Sequence, residues 1–260
     1  YKSGKLYKKI WDRKRNESPL RVYSKSLVRK ISKDFKKLGV SVGYAMNYGK
    51  PSVKREMDKL FKNGCVKILI VPLFPQYSAT TTASVIDRVF FYLKNIRWQP
   101  TIRFCPPYFD DKLYIDALEF SVKEQIRKMR KKPKRIVCSF HGIPKKYFLK
   151  GDPYYCHCSK TVRLLNERFK KENISFEISF QSRFGPQEWL RPYMNEKFKE
   201  ILDNNENEIC VMTPGFSMDC LETLEEIKIQ GKKDFLEMGG KSFSYISCLN
   251  DEKSSVNMLT

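Results

Sequence analysis

Short apolar runs alternate with longer amphipathic stretches along this chain, and no other feature constrains its fold as tightly. VSVGYAM (40–46), KILIVPLF (67–74) and TIRFCPPY (101–108) have strand length and strand composition. Helix-period segments stand between and after them at 52–65, 83–96 and 112–129, the first with Ser52 as its cap and Gly64 past its end. After the lysine- and proline-rich turn KKPK (131–134) the pattern restarts. Strands are predicted at 134–140, 174–182, 208–216 and 242–249, and helices at 159–172, 194–204 and 220–238. Strands that alternate with helices form parallel sheets joined by right-handed crossovers. The restart divides them into two Rossmann-like α/β halves. Ligands of open α/β sheets bind beyond the carboxyl ends of the strands.

At 260 residues, 41% hydrophobic and 13% aromatic, the chain can bury a sizeable core. Its longest apolar runs, such as VKILIVPLF (66–74), are too short to cross a bilayer, and no basic-then-apolar signal segment opens it. A cytoplasmic protein is therefore expected. The net charge of +21 suits nucleic acid, anionic lipid or an acidic ligand. Long basic blocks are absent, and the aromatics fall in core-like strands rather than along a basic stripe, which argues against nucleic acid. Peripheral contact with an anionic membrane face stays compatible with the charge. Eight cysteines lie mostly in or beside apolar runs, where a reduced thiol packs as a small hydrophobe. Cys156-His157-Cys158 lacks the spacing of a structural zinc site.

Three loops that follow strands carry the unusual residues. PQYSATTTAS (75–84) crowds Ser78, Thr80, Thr81, Thr82 and Ser84 at the entry to a helix, where one hydroxyl would suffice as a cap. SFHGIP (139–144) puts His141, one of only two histidines, where its strand ends, before a glycine and a proline that stop the ladder. A neutral imidazole there can bind a divalent metal, accept a proton near pH 7, or simply bond to backbone. In the third loop, Asp219 and Glu222 have capping-box spacing, while Glu222, Glu225 and Glu226 also form an acidic row. A histidine from one strand end and carboxylates from another suit Fe²⁺.

These segments resemble the ferrochelatase family of the Gram-negative bacterial kind. The resemblance is carried by YKKIWDRKRNESPLRVYS (7–24), VPLFPQYSATTTAS (71–84), SFHGIP, GDPY (151–154), SFQSRFGPQEWLRP (179–192), LETLEEI (221–227) and GGKSFSYISCLND (239–251), in order along nearly the whole chain. It implies insertion of Fe²⁺ into protoporphyrin IX to make protohaem, the last step of haem biosynthesis, in a cleft between two Rossmann-like domains. It assigns His141 and Glu222 to the metal and to catalysis, with His141 as proton acceptor, iron relay or both. Glu226 continues the carboxylate path, and Tyr48, Ser78 and Trp189 contact the porphyrin. His157 has no family role and is read as structural.

The resemblance also implies domain bounds: a first domain over 1–115 completed by 235–260, and a second over 116–234 carrying the His/Glu site. The family's opening strand and LGTP-like loop have no counterpart here, so the first domain is expected to lack its first strand. Asn47 stands where relatives usually carry arginine, beside the retained Tyr48. Some members hold a [2Fe–2S] cluster on a cysteine of the PQYS loop and three more in a C-terminal tail. Ala79 occupies the loop position and the chain ends soon after Cys248, so no cluster and no other cofactor is expected. The alternatives are a related chelatase that uses another metal and an inactive tetrapyrrole-binding protein descended from a chelatase.

Overall fold

The computed structural model of this chain describes residues 2–129 and 131–260. Three helices lead in: α1 (Lys2–Ile10), α2 (Pro19–Lys36) and α3 (Val53–Lys62). Pro19 occupies the first turn of α2, where a missing N–H costs nothing, and the Ser52 hydroxyl accepts the Arg55 amide to cap α3. Then follow β1 (Lys67–Ile70), a π-helical turn (Ala79–Ala83), α4 (Ser84–Leu93), β2 (Thr101–Phe104) and α5 (Lys112–Arg127), which is capped by Asp111. The second run comprises β3 (Arg135–His141), α6 (Lys145–Leu149), α7 (Tyr154–Arg168), β4 (Ser175–Gln181), α8 (Met194–Asp203) and β5 (Glu208–Met212). A π-helix (Leu221–Gly231), α9 (Lys232–Glu237), β6 (Ser242–Ile246) and α10 (Lys253–Leu259) complete the order.

All pairing between these strands is parallel. β1 and β2 form one small sheet; the larger sheet runs β4-β3-β5-β6. β3 reads IVCSF because it is central and covered on both faces. Ile136, Cys138 and Phe140 meet Tyr114, Ile115, Leu118 and Val122 of α5 and Cys158 and Leu165 of α7. Val137 joins Val211, Phe198, Ile201, Ile227 and Phe235 on the opposite face. The small sheet packs Ile68 against Met57, Val89, Tyr92 and Leu93, whereas Leu69 is 62% exposed.

Two expectations need correction. Residues 40–46 form no strand: the Val40 amide donates back to the Phe35 carbonyl at the end of α2 (3.2 Å), the Met46 amide donates to the Pro51 carbonyl (2.7 Å), and Val40 is exposed. Their strand-like composition finds no ladder partner among the described residues, and unpaired extended backbone stays solvated. The segment 235–260 was expected to complete the first half, yet β6 adds to β5 in the larger sheet. Phe243 and Tyr245 explain this, because they bury their rings in the core shared by β5, α8 and α9. The end of the segment reaches back to α2: Asp251 pairs with Lys30 and accepts from Ser26 Oγ, each at 2.6 Å, and α10 sets Val256 against Leu27 and Ile31.

Candidate active site

His141 is the last residue of β3 and lies in register with Gln181, the last residue of β4. Its Nδ1 sits 2.7 Å from the Gly142 carbonyl. A carbonyl can only accept, so Nδ1 carries a proton; in the neutral tautomer that this bond selects, the lone pair is at Nε2. The Gly142 amide donates to the Gln181 carbonyl at 2.8 Å. A β-carbon on Gly142 would lie 3.0 Å from that oxygen and 3.1 Å from Trp189 Cε3, so any side chain there would push one of them aside by a few tenths of an ångström. Trp189 is 5% exposed, and Phe184, whose tilted ring is centred 4.8 Å from it, is 72% exposed.

The carboxylates come from the π-helix after β5. Its bonds run i to i+5, a wider turn than the α-helix and one frequent at functional sites. Glu226 is gripped from the end of β4: Ser182 N–H reaches Oε1 at 2.7 Å, Ser182 Oγ reaches Oε2 at 2.6 Å, and Gln181 Nε2 reaches Oε2 at 3.2 Å. Gln181 Nε2 also donates to the Glu222 carbonyl at 2.7 Å. Glu225 turns away from the other two acids and pairs with Lys9 of α1 at 2.7 Å. Burial raises the phenol pKa of Tyr7 on α1, and the charge of Glu222 raises it further.

The expected Asp219–Glu222 capping box is absent. The Cys220 amide donates instead to Thr223 Oγ1 at 2.9 Å. Buried Asp219 accepts from Tyr245 OH (2.7 Å), Asn250 Nδ2 (2.8 Å) and Thr223 Oγ1 (3.0 Å). Three donors out of reach of water hold that carboxylate better than a helix end would, and the Glu222 side chain is left free of capping.

The remaining candidates stand elsewhere. Tyr48 is 73% exposed, with its hydroxyl 3.5 Å from Ser84 Oγ and the Arg88 guanidinium 5.4 Å from its ring centre. Asn47 donates to Ser84 Oγ at 2.8 Å. Ser78 is fully buried, and its hydroxyl donates to Asp152 of the GDPY loop at 2.9 Å, which fastens its own loop.

That loop is tied to the far half throughout. Leu73 O accepts from Ser217 Oγ, Gln76 Nε2 donates to Thr161 Oγ1, Tyr77 N–H donates to His157 Nδ1, and Ala79 N–H donates to Asp152. His157 stacks on Phe109 with ring centres 3.7 Å apart, and burial pulls its pKa below the usual histidine value. Cys156 and Cys158 lie on α7, one exposed and one buried. The residues that sequence reasoning missed are Gln181 and Ser182; the signal was two successive polar residues that break the alternation of SFEISF at the strand end.

Parallel sheets flanked by helices, with His141 and Gln181 closing adjacent strands of the larger one, define an α/β protein with the chelatase fold. The structure of SirB from Bacillus subtilis with Fe³⁺ shares this fold, with a TM-score of 0.65 at 15% identity over 93% of this chain and 88% of that one. CbiX, described as the terminal enzyme for biosynthesis of siroheme in denitrifying bacteria, gives 0.61 at 12% identity over 93% and 89%.

Sequence narrows the class. The family model described as Ferrochelatase matches residues 1–260. The ferrochelatase of Francisella tularensis subsp. novicida (strain U112) is 48% identical over 260 residues, 99% of this chain and 77% of that protein. That of Agrobacterium fabrum (strain C58 / ATCC 33970) is 49% identical over 261 residues, 99% and 75%. The chain belongs to the ferrochelatase family, and is a lyase that inserts ferrous iron into protoporphyrin to form haem.

Proposed function

We propose that His141 and Glu222 stand at the centre of the bound protoporphyrin IX and that Glu226 extends a carboxylate path by which Fe²⁺ approaches. A flat porphyrin hides its nitrogen lone pairs in the ring plane, and metal entry displaces two protons. A cleft that bends the ring exposes those lone pairs, at a strain drawn from binding elsewhere on the ring. The base needed on one face is supported by the His141 Nδ1 bond to the Gly142 carbonyl, which selects the tautomer whose Nε2 can accept a proton. This single observation carries the reading. The carboxylates supply oxygen ligands that suit a hard or borderline ion in transit. Trp189 and Tyr48 provide apolar and aromatic contact for the ring.

Ala79 removes the loop cysteine that a [2Fe–2S] ligand set would need, so the reaction runs without a resident cluster. No helix among the described residues is long and apolar enough to cross a membrane. The +21 charge supports salt-sensitive peripheral contact with anionic lipid at the cytoplasmic face.

The test is anaerobic haem formation from Fe²⁺ and protoporphyrin by the parent and His141→Ala, beside porphyrin binding followed at the Soret band. The variant is expected to bind porphyrin and to lose insertion by about 10² to 10⁴, the contribution of a positioned base. Near-parental insertion would remove His141 from the mechanism.

A further inference from the structure

Glu226 is held by two residues that the steps above do not use. A carboxylate offers about four lone-pair directions. Three are filled by Ser182 N–H, Ser182 Oγ and Gln181 Nε2 at 2.7, 2.6 and 3.2 Å, so the group has one orientation. Gln181 is 5% exposed and its amide is committed at both ends: Oε1 accepts from Ser139 Oγ at 2.7 Å, and Nε2 spans the Glu222 carbonyl and the Glu226 carboxylate.

Ser182 has φ +63°, a left-handed conformation that costs a residue with a β-carbon about 1 kcal/mol or more. That conformation lets its amide and hydroxyl meet the same carboxylate. The acid they hold is half-buried and has no lysine or arginine partner among the described residues, unlike Glu225 with Lys9. Water could have solvated Glu226; the fold orients it instead. Because Gln181 is the register partner of His141, this corner and the histidine leave their strands side by side, about 4.8 Å apart.

We propose that Gln181 and Ser182 are positioning residues for metal delivery, which fix the Glu226 oxygens beside the His141 strand end so that Fe²⁺ meets oriented ligands before it reaches the ring. The inference rests on the reading of Glu226 as part of the iron path. Loss of the donors frees the carboxylate to rotate, which weakens capture of the ion and leaves the porphyrin face untouched.

The test uses the full chain as parent, Ser182→Ala, Ser182→Gly, Glu226→Gln and the Ser182→Ala/Glu226→Gln double variant. Insertion is measured anaerobically with Fe²⁺ varied at saturating protoporphyrin and the reverse, beside thermal melts. Removal of an outer partner of a metal ligand costs about 10- to 100-fold. Ser182→Ala is expected to lose about tenfold in kcat/KM for Fe²⁺ while KM for protoporphyrin stays within about twofold. It is expected to add no further loss in the Glu226→Gln background. Ser182→Gly keeps the N–H and relieves the backbone, so it is expected to share the Fe²⁺ defect while melting no lower than the alanine variant. Parental insertion by Glu226→Gln would overturn the iron-path reading and this proposal with it. An impaired Glu226→Gln beside a parental Ser182→Ala, or equal losses from Ser182→Ala in both backgrounds, would overturn the positioning role alone. So would activity that simply followed the melting temperature across the Ser182 variants.

Discussion

His157 Nδ1 accepts the backbone N–H of Tyr77 at 3.1 Å, and this bond joins α7 to the loop that follows β1. It exists only while the imidazole is neutral, since a protonated ring has no acceptor there. Burial lowers the folded-state pKa, partly opposed by Asp110 and Asp152. A depressed histidine stabilises the fold fully above its unfolded value of about 6.5 and loses that contribution as pH falls through the folded value. Melting temperature is therefore expected to drop between pH 6.5 and lower values. His157→Phe keeps the stack on Phe109 but leaves the Tyr77 N–H unpaired, which is expected to cost about 1–3 kcal/mol at pH 7.5 and to flatten the pH profile. Equal slopes in the two proteins would disprove the assignment.

Glu222→Gln is expected to leave stability within about 0.5 kcal/mol of the parent, because Thr223 and not Glu222 bonds the Cys220 amide. Haem formation is expected to fall by about a hundredfold or more. Thr223→Val is the converse control: loss of the cap and of a donor to Asp219 is expected to cost about 1–2 kcal/mol. Urea unfolding of both, beside turnover, separates the two effects. A destabilised Glu222→Gln with normal turnover would reverse the assignment.

Gly142→Ala drives a methyl into the Gln181 carbonyl and the Trp189 ring at about 3 Å. Neither contact can yield cheaply, since one is backbone and the other a buried indole. A loss of about 1–3 kcal/mol is expected, with a shifted tryptophan emission maximum as Trp189 moves. Parental emission and stability would show that the strand end tolerates the displacement.

Protein purified anaerobically is expected to lack stoichiometric acid-labile sulfide, because Ala79 cannot ligate iron. Sulfide at two per chain, with the absorption of a [2Fe–2S] centre, would refute this.

The αβ alternation and the position of His141 were legible because both are local: a period, a turn glycine, a proline. The acid row was legible as three glutamates, but its geometry was not. A π-helix leaves no distinct mark on LETLEEIKIQG, so the sequence could not say that Glu225 turns to Lys9 while Glu226 meets Ser182. The capping box failed for a related reason. Asp219 has the right spacing to Glu222, yet Tyr245 and Asn250, far along the chain, compete for its oxygens. The strand forecast at 40–46 had the composition of a strand but no partner, and pairing is a tertiary fact that composition does not contain.

The fastening of the loop after β1 bears on who does the work of bending a porphyrin. Five side-chain bonds run from Leu73, Gln76, Tyr77, Ser78 and Ala79 to Ser217, Thr161, His157 and Asp152. At about 1 kcal/mol each they resist a clamshell opening by several kcal/mol. A porphyrin bound between these halves, as proposed, would then meet a die rather than a jaw, and the macrocycle would be the part that yields.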